Sequence, residues 1–369
     1  RIPAFGPLSV SVPGCVDGKI YLKYKPTAVV KYSTPTDIDP KALPGMAALI
    51  GKYGVIFAEK PYWQANDDAN LMRIYKVGFT NINDVEGLIR DISANPLVEY
   101  AEKVPEMKTF YTPNDPSLAT QWHLTLIGAQ NAWNIFNSTA SGNSTITVAV
   151  VDNAIMHTHP DLIGNRWTNP GEIAGNSIDD DANGYVDDVN GYDVGDNDNS
   201  TLPLNTTWNH GTHVSGIVGA RTDNTLGISA IGFNVKIMPV KATANSAGSN
   251  AVTAGYAGIL YAARNKAKVI NCSWGGSVSA VSDQSVIDYA WNKGCIVVVS
   301  AGNNGNTNMG YPAAYNNAYS VVCSNASDVK SGFSTYGTWC DITAPGDPLY
   351  STVPNSGYGN MSGTSMASP

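Results

Sequence analysis

Charged residues are scarce in this chain, because Asp, Glu, Lys and Arg make up only 14% of its 369 residues. Globular proteins average roughly 25%. A basic excess is also lacking, since the net charge at pH 7 is −8. Nucleic-acid-binding proteins need a basic surface against phosphates, so this composition argues against a nucleic-acid partner. Hydrophobic runs are short, and none approaches the ~20 residues of a membrane-spanning helix.

Cysteine is also sparse, with five residues and no CxxC spacing that would indicate zinc binding or redox chemistry. Cys272 and Cys295 lie in apolar, strand-like runs, which predicts buried free thiols. Cys323 and Cys340 flank a hairpin-like stretch and are a candidate disulfide in an oxidising compartment. Free thiols at these two positions are the alternative.

The residues before position 110 predict a small α+β domain. This region holds 13 basic and 12 acidic residues and no histidine. Its apolar residues recur at helical spacing in two segments and alternate in three others. A linker is predicted at Lys108–Pro116. The predicted elements are strand Lys19–Tyr24, helix Pro40–Tyr53, strand Leu71–Phe79, helix Asn83–Ser93 with Asn83 as its N-cap, and strand Val98–Lys103.

The remaining residues alternate short apolar strands with helices, which predicts an α/β fold with a doubly wound, mainly parallel sheet. In such folds, ligands bind at the carboxyl ends of the strands. Asp152 and Asn303 each follow a predicted strand closely. The predicted strands are Ile146–Val151, Val235–Val240, Val269–Asn271, Ile296–Ser300 and Ser320–Cys323, and the predicted helices are Gly211–Ala220, Ala251–Asn265 and Val281–Asn292.

Three motifs carry residues suited to nucleophilic catalysis. They are VAVVD ending at Asp152, NHGTHVSG with His210 second, and GTSMASP with Ser365 third. A serine hydroxyl is a weak nucleophile unless a nearby base takes its proton, and that base needs a group that fixes its tautomer. Serine, histidine and aspartate supply these three roles.

These motifs resemble those of the subtilisin-like serine proteases, and the resemblance spans nearly all of residues 111–369. It implies that Ser365 attacks the scissile carbonyl, that His210 transfers the proton, and that Asp152 orients the imidazole. In the motif SAGNNG, it implies that the Asn303 amide stabilises the oxyanion, together with the Ser365 backbone N–H. This donor is worth ~3–4 kcal/mol, a magnitude known from subtilisin itself.

One departure from the family pattern lies beside the aspartate, where Asn153 and Ala154 replace a small residue and Gly. Because Ala adopts positive φ less readily than Gly, a different turn is expected there.

The resemblance also implies a substrate cleft with two strand-like edges and a first specificity pocket. A glycine floor leaves room for a large apolar or aromatic side chain, and extended peptide would bind by strand addition. The implied edges are Ser273, Trp274 and Gly275 on one side and Asn245–Gly248, including Ala247 and Gly248, on the other; the implied pocket residues are Ser300, Ala301, Gly302 and Gly310.

An acidic loop, DDDANGYVDD at residues 179–188, has the D-x-D-x-N-G spacing of an EF-hand-like calcium loop. Its twelfth position is Asn190 rather than Glu, so another acid after the turn is needed to close the ligand shell. A solvated acidic loop without a metal is the alternative. The predicted Ca²⁺ ligands are Asp179, Asp181, Asn183 and Tyr185, closed by Asp187 or Asp188.

A second calcium site is implied only by the resemblance. The segment YTPND, which ends at Asp115, is similar to the mature N-terminus of thermitase-type members. In those proteins this aspartate binds calcium with the acid of an HPD motif and a loop asparagine. The corresponding residues here are Asp161 and Asn224.

The resemblance further implies that residues 1–110 are a propeptide that assists folding and blocks the cleft, with Leu97–Glu102 as its final strand. Cleavage is expected between Glu106 and Tyr111. An unrelated accessory domain is the alternative. Because the chain starts at Arg1 without Met, a signal peptide is expected to have been removed already. The family continues beyond the segment that ends at Pro369, so a longer natural chain is expected.

The sequence therefore predicts a secreted, calcium-stabilised serine endopeptidase that acts on proteins or peptides and processes its own propeptide. A catalytically inactive relative that serves as a calcium-dependent binding module is a second hypothesis. A non-proteolytic esterase is a third, although the chain lacks the G-x-S-x-G motif at Ser365.

Overall fold

The computed structural model describes residues 15–106, 112–135 and 142–369. Residue contacts divide the chain into two compact units, Arg1–Thr109 and Phe110–Pro369. The segment between Glu106 and Tyr111, where propeptide cleavage is predicted, lies outside the described residues.

The first unit is a four-stranded antiparallel sheet with the strand order β2-β3-β1-β4. Inward side chains such as Ile20, Leu22 and Val77 are fully buried and pack against Leu88 of α2. This order and the β-α-β-β-α-β succession are those of ferredoxin-like folds. The elements are β1 Cys15–Tyr24, α1 Ile50–Tyr53, β2 Val55–Glu59, β3 Ile74–Phe79, α2 Val85–Ser93 and β4 Val98–Pro105.

The predicted helix Pro40–Tyr53 is wrong over most of its length. Only a 3₁₀ turn at Pro40–Ala42 and the four-residue α1 form. Pro44 cannot donate a backbone hydrogen bond within a helix, and Gly45 adopts φ +82°. Strand β2, which begins two residues after α1 ends, was not predicted.

The second predicted helix begins slightly later than expected. Asp84, not Asn83, is the N-cap of α2, and its side chain accepts a hydrogen bond from Gly87 N at 3.2 Å. The predicted strand Leu71–Phe79 is likewise shortened, because Leu71–Arg73 form a 3₁₀ turn before β3 begins.

The second unit contains the predicted parallel sheet, with seven strands in the order β11-β10-β9-β8-β5-β7-β6. The chain first adds β6 and β7 on one side of β5 and then adds β8 to β11 on the other. The carboxyl end of β5 is therefore the topological switch point, where open α/β sheets bind ligands.

Helices cover both faces of this sheet. On one face, Ile259 and Ala262 of α6 and Ile287 of α7 pack against buried strand residues such as Val240 and Val299. The other face is covered by α5 and α8. The elements are α3 Trp122–Leu126, α4 Ala129–Ile135, β5 Thr147–Asp152, β6 Tyr192–Asp193, α5 His210–Gly219, β7 Lys236–Lys241, α6 Gly255–Arg264, β8 Val269–Cys272, α7 Val281–Asn292, β9 Ile296–Ser300, β10 Ala318–Asn325, β11 Ile342–Asp347, β12 Leu349–Val353, β13 Gly357–Met361 and α8 Thr364–Ala367.

The candidate disulfide between Cys323 and Cys340 is not formed, and all five cysteines are free thiols. Cys323 lies on β10, which pairs in parallel with β11 rather than forming a hairpin, and its register partner is Ala344. Cys340 precedes Ala344 by four residues. At ~3.3 Å per residue, it lies roughly 13 Å along the chain from the position opposite Cys323. A disulfide needs Cα atoms within about 7 Å. Cys272 and Cys295 are buried thiols, as predicted.

Within the described residues, no helix combines the length and the apolar character required to cross a bilayer.

Candidate active site

Asp152 and His210 meet at the switch point of the sheet. Asp152 ends β5 and is 1% exposed, while His210 is the first residue of α5. His210 Nδ1 lies 2.8 Å from one Asp152 carboxylate oxygen and 3.0 Å from the other. Burial lowers the pKa of His210, but the charge of Asp152 and its hydrogen bond outweigh burial and raise the pKa above its usual value.

Ser365 lies in the first turn of α8 and lines the same cleft as Asp152 and His210. Its Oγ donates a hydrogen bond to the Ser273 carbonyl oxygen at 3.0 Å. No hydrogen bond joins Ser365 and His210 in the described residues. Proton transfer from this hydroxyl to the imidazole therefore requires the hydrogen bond to Ser273 O to be given up.

The Asn303 side chain is held by Thr364. Asn303 Oδ1 accepts hydrogen bonds from Thr364 N at 2.9 Å and from Thr364 Oγ1 at 3.0 Å. These two bonds fix the orientation of the amide, so that Nδ2 lies on the side away from Thr364 N and Oγ1. A Cβ placed on Gly363 would stand 3.4 Å from Asn303 Nδ2 and 3.6 Å from Ser365 N. Both N–H donors therefore border one small space beside the Ser365 side chain.

The predicted first pocket lies next to this space, within a cleft of about 810 Å³. Gly310 lines this cleft, and an added Cβ would make van der Waals contact with Ala301 O at 3.5 Å and Gly276 O at 3.8 Å. Any side chain at position 310 would reduce this space. The predicted pocket and edge residues Ser273, Trp274, Gly275, Ser300, Ala301, Gly302 and Gly310 all line the cleft.

Ala247 and Gly248 are not among the residues that line the cleft. Ala247 N donates to Ala244 O at 2.8 Å, so the chain turns there, and the following Ser249 and Asn250 line the cleft instead. The predicted edge Asn245–Gly248 therefore ends just before the residues that line the cleft, and its pairing with substrate stays a prediction.

The residues after Asp152 form a turn that needs no glycine. Neither Asn153 nor Ala154 has positive φ in the structure. Asn153 Oδ1 accepts from Ala154 N at 2.7 Å and from Gly211 N at 3.0 Å, while its Nδ2 donates to Ser249 O at 2.8 Å. Asn153 thus links β5, the start of α5 and the substrate edge, a role that sequence reasoning missed.

The acidic loop gathers several of the predicted metal ligands. Asp179 and Asp181 bring carboxylate oxygens to within 4.8 Å of each other and of Glu172. Glu172 was missed because it precedes the loop. Its Oε1 accepts a hydrogen bond from Asp180 N at 2.9 Å, whereas its Oε2 is buried without a partner. Burial chiefly raises the pKa of Glu172, with added repulsion from nearby acids.

These observations fit a hard cation. An unpartnered buried carboxylate oxygen is costly, and three carboxylates at this spacing repel one another unless a cation compensates for their charge. Calcium prefers oxygen ligands of this kind. Asn183 is adjacent, donating its backbone N–H to Asp179 at 3.0 Å and to Asp181 at 2.9 Å.

The other predicted loop residues have different partners. Asp187 accepts backbone hydrogen bonds from residues 175–177, which draws its carboxylate away from the cluster. Asp188 is fully buried and accepts from Tyr261 OH at 2.7 Å; burial raises its pKa. The ring of Tyr185 packs edge-to-face on Tyr261. The acid grouped with Asp179 and Asp181 is Glu172, from before the turn, while Asn169 Nδ2 bridges Asp181 at 3.0 Å and Asp188 at 2.7 Å. A closing role for Asp187 or Asp188 stays a prediction.

The predicted second site brings together Asp115, Asp161 and Asn224. Asp115 accepts from Asn224 N at 3.1 Å, and Asn224 Nδ2 donates to Asp161 at 2.8 Å. The carboxylates are buried, at 4% and 0% exposure, and no ion pair to either one occurs in the described residues. Burial raises the pKa of Asp161, and the charge of Asp115 adds to the shift. Two buried acids without a counter-charge also fit a cation.

Comparisons with known proteins agree with this geometry. A model of the subtilase family matches residues 143–369. Over 260 residues the chain is 42% identical to thermitase from Thermoactinomyces vulgaris, covering 70% of this chain and 82% of that protein. It is 33% identical over 313 residues to an extracellular protease of Xanthomonas campestris, covering 78% of this chain but only 52% of that relative, about half its length.

Among solved structures, a protease from Pseudoalteromonas arctica has 27% sequence identity and a TM-score of 0.57. The match covers 70% of this chain and 84% of that one.

Proposed function

This chain belongs to the subtilase family, and on that premise we propose that it is a secreted serine endopeptidase, made as a self-processing zymogen and stabilised by calcium. The observation that carries the proposal is the buried Asp152 bonded to His210 Nδ1, in one cleft with Ser365 and the Asn303 amide. Relatives named as proteases support the same reaction class.

His210 is the general base. Because its Nδ1–H donates a hydrogen bond to the Asp152 carboxylate, the imidazole keeps that proton and its Nε2 is free to accept the Ser365 proton. The Ser365 oxygen then bonds to the scissile carbonyl carbon, and the carbonyl π electrons move to the oxygen. When the carbon–nitrogen bond breaks, His210 returns the proton to the leaving amine, and water later hydrolyses the acyl-enzyme.

Asn303 Nδ2 and Ser365 N donate hydrogen bonds to the oxyanion. Donors that are already oriented stabilise this charge without reorganisation during the reaction. Thr364 supplies the orientation, since its two hydrogen bonds to Asn303 Oδ1 leave the amide N–H groups for the substrate.

Protein or peptide substrates bind extended along Ser273–Gly275, with a large apolar side chain in the pocket floored by Gly310. The exposed Gly275 supports strand addition, whereas the backbone of the following Gly276 is already paired with Tyr311. Calcium bound by Glu172, Asp179, Asp181 and the neighbouring loop would hold this segment together by offsetting carboxylate repulsion. A second ion at Asp115 and Asp161 would act in the same way.

The first unit is the propeptide and acts as an intramolecular inhibitor. Its position before the protease unit and its separate core support this assignment. Secretion is supported by the relative named as an extracellular protease and by the low charged content.

One observation favours the inactive binding module instead, because Ser365 Oγ is bonded to Ser273 O rather than to His210. In an active enzyme this hydroxyl must rotate on substrate binding. In an inactive relative it would not react with a fluorophosphonate.

The test is intact mass of the full natural chain after incubation with calcium, compared with its Ser365→Ala variant. Loss of about 110 N-terminal residues only in the wild type would support both the protease and the propeptide. No processing, together with no fluorophosphonate adduct at Ser365, would favour the binding module. An adduct without peptide cleavage would favour the esterase.

A further inference from the structure

The cleft carries a carboxylate that the proposed reaction does not use. Its acidic and histidine lining residues are Asp152, His210 and Asp283, and neither Lys nor Arg lines it. Asp152 is 1% exposed and engaged by His210. Asp283 is therefore the carboxylate that a bound ligand can reach, in a cleft without a compensating cation.

Asp283 has little bonding of its own. In the described part of the chain its carboxylate has one hydrogen bond, from Ser282 Oγ at a long 3.4 Å, and no ion pair. It is the third residue of α7, where a negative charge favours the helix dipole. The helix dipole accounts for an acid at position 283. Most of the hydrogen-bond acceptor sites of the Asp283 carboxylate are nevertheless unused in the described residues.

An aromatic wall stands beside this acid. The rings of Tyr256 and Trp274 meet edge-to-face with centroids 5.5 Å apart. Trp274 is fixed by its Nε1 donating to Val151 O at 2.8 Å and by close packing on Gly255. Burial and the charges of Tyr315 and Asp283 raise the pKa of Tyr256, which indicates that Asp283 lies within electrostatic range of that ring.

This region and the predicted first specificity pocket lie in the same cleft but are lined by different residues. Gly310 and Ala301 border Gly276 from one side, whereas Trp274 packs towards α6 and lines the cleft with Val252 and Tyr256. Side chains of an extended peptide that point the same way repeat every two residues, about 6.6–7 Å apart. One substrate strand is therefore able to place different side chains in the two regions.

We propose that this acid–aromatic end of the cleft, formed by Val252, Tyr256, Trp274, Val278 and Asp283, binds a Lys or Arg side chain of the substrate away from the scissile bond. The inference rests on the proposed endopeptidase function and names a preferred substrate class for it: peptides with a basic residue N- or C-terminal to the residue in the first pocket.

The chemistry of a Lys or Arg side chain matches each part of this region. Its aliphatic stem packs on Val252 and on Val278, which is 80% exposed. Its cationic head lies against an aromatic face, an arrangement that attracts cations, and reaches the Asp283 carboxylate. An acidic side chain would face an uncompensated like charge there. Because the Asp283 side chain is partly exposed, salt should weaken its attraction for the bound cation.

The experiment compares kcat/KM for quenched peptides that differ at one position only, carrying Lys, Leu or Glu, with each position around the scissile bond scanned in turn. For wild type we expect one position at which Lys exceeds Glu by at least tenfold. Asp283→Asn should reduce that ratio about tenfold, and Asp283→Lys should invert it. Added NaCl should reduce the wild-type ratio.

Asp328→Asn is the matched control. Asp328 is exposed, has a positive φ that Asn tolerates, and does not line the cleft. It changes the net charge equally and should leave the Lys/Glu ratio unchanged. Melting temperatures of both variants separate a helix effect of Asp283 from a binding effect, because a purely structural role would lower stability without changing the ratio.

A second arm measures binding of the same peptides to the full chain carrying Ser365→Ala, by fluorescence anisotropy. Lys-selective binding that disappears in Asp283→Asn supports the inference even if no peptide is cleaved, in which case only the endopeptidase proposal fails. Equal ratios in wild type and Asp283→Asn, or no discrimination at any position in either arm, would overturn the inference.

Discussion

At the scale of single residues, the orientation of the Asn303 amide is set by its neighbour Thr364. Thr364 donates two hydrogen bonds to the amide oxygen of Asn303, so the amide nitrogen remains available as a donor in the cleft. The sequence motif around position 303 indicated the residue, but only the structure shows that Thr364 orients it. Thr364 stands immediately before the nucleophile, where sequence reasoning treated it as part of the motif and gave it no role.

We expect Asn303→Ala to lower kcat by about 10²–10³ with little change in KM, because one oxyanion donor is lost only in the transition state. Steady-state kinetics on a peptide substrate measures this. Asn304→Ala is the control, since Asn304 is exposed and also lines the cleft. Similar losses in both variants would exclude a special role for Asn303.

The pair of Asp152 and His210 predicts the acid limb of the pH–rate profile. Protonated His210 cannot accept the Ser365 proton, so kcat/KM falls as the pH drops through the pKa of His210. Since Asp152 raises that pKa, the fall should begin above the usual value of about 6.5.

Asp152→Asn should remove most of the activity, about 10⁴-fold, by favouring the wrong tautomer. In the activity that remains, the fall of kcat/KM should occur at lower pH. The Asp152 charge that raises the pKa of His210 is gone, while the burial that lowers this pKa remains. A profile measured from pH 4 to 9 tests this, and an unchanged midpoint in the variant would contradict the electrostatic explanation.

At the scale of elements, α5 combines the candidate base with a buried structural histidine. His213 lies one turn after His210 and is fully buried. Its Nε2 lies 3.2 Å from Leu349 O and 3.0 Å from Gly359 O, which ties α5 to β12 and β13. The sequence gives no sign of these partners, because β12 and β13 lack a clear strand pattern.

This buried histidine predicts loss of stability in acid. Burial lowers the pKa of His213 to about 4, so between pH ~6.5 and 4 the unfolded chain binds a proton that the folded chain does not. The free energy of unfolding therefore falls as the pH decreases over that range, by about 3 kcal/mol for one such site. His213→Gln should make the melting temperature less dependent on pH there, and an identical slope would contradict this.

Elements were predicted well where hydrophobic periodicity was continuous. The bounds of α7 and β9 match the predictions, because their apolar residues are followed by abrupt turns. Pro44 and Gly45 interrupted the predicted first helix, and β6 has only two residues. Short strands and 3₁₀ turns depend on tertiary packing rather than on local pattern, so sequence periodicity cannot reveal them.

For the whole molecule, the strand order explains why the site was predictable and its supports were not. Ligands bind at the carboxyl ends of parallel strands, and the sequence predicted Asp152 at such an end, but the position of the switch point follows only from the strand order. Glu172 and Asn153 act through contacts between distant loops, and no spacing rule identifies such residues. The sequence likewise does not predict that Asp283 lines the cleft, because an acid in the first turn of a helix is common.

Calcium removal should lower the stability of the protein as a whole. At a calcium concentration 100 times Kd, one site contributes about 2.7 kcal/mol, which corresponds to roughly 5–10 °C in melting temperature for a unit of this size. Differential scanning calorimetry with calcium or with chelator measures the difference. An unchanged melting temperature in chelator would exclude both sites.

Variants separate the two calcium sites. Glu172→Gln with Asp181→Asn should remove the contribution of the loop, and Asp161→Asn should remove that of the second site. Asp328→Asn again controls for net charge. If the paired loop substitutions leave the chelator effect intact, the cluster at Glu172 is only a solvated acidic loop.

The order of the seven-stranded sheet also bears on the folding rate. β5 pairs with β8, although β6, α5, β7 and α6 lie between them in the chain, and Ser365 joins the site from still farther along. Such non-local pairing gives a high contact order, which slows folding because long loops must close first. The nucleophile and its base therefore meet only after the sheet has assembled, so incompletely folded copies of the chain cannot digest one another.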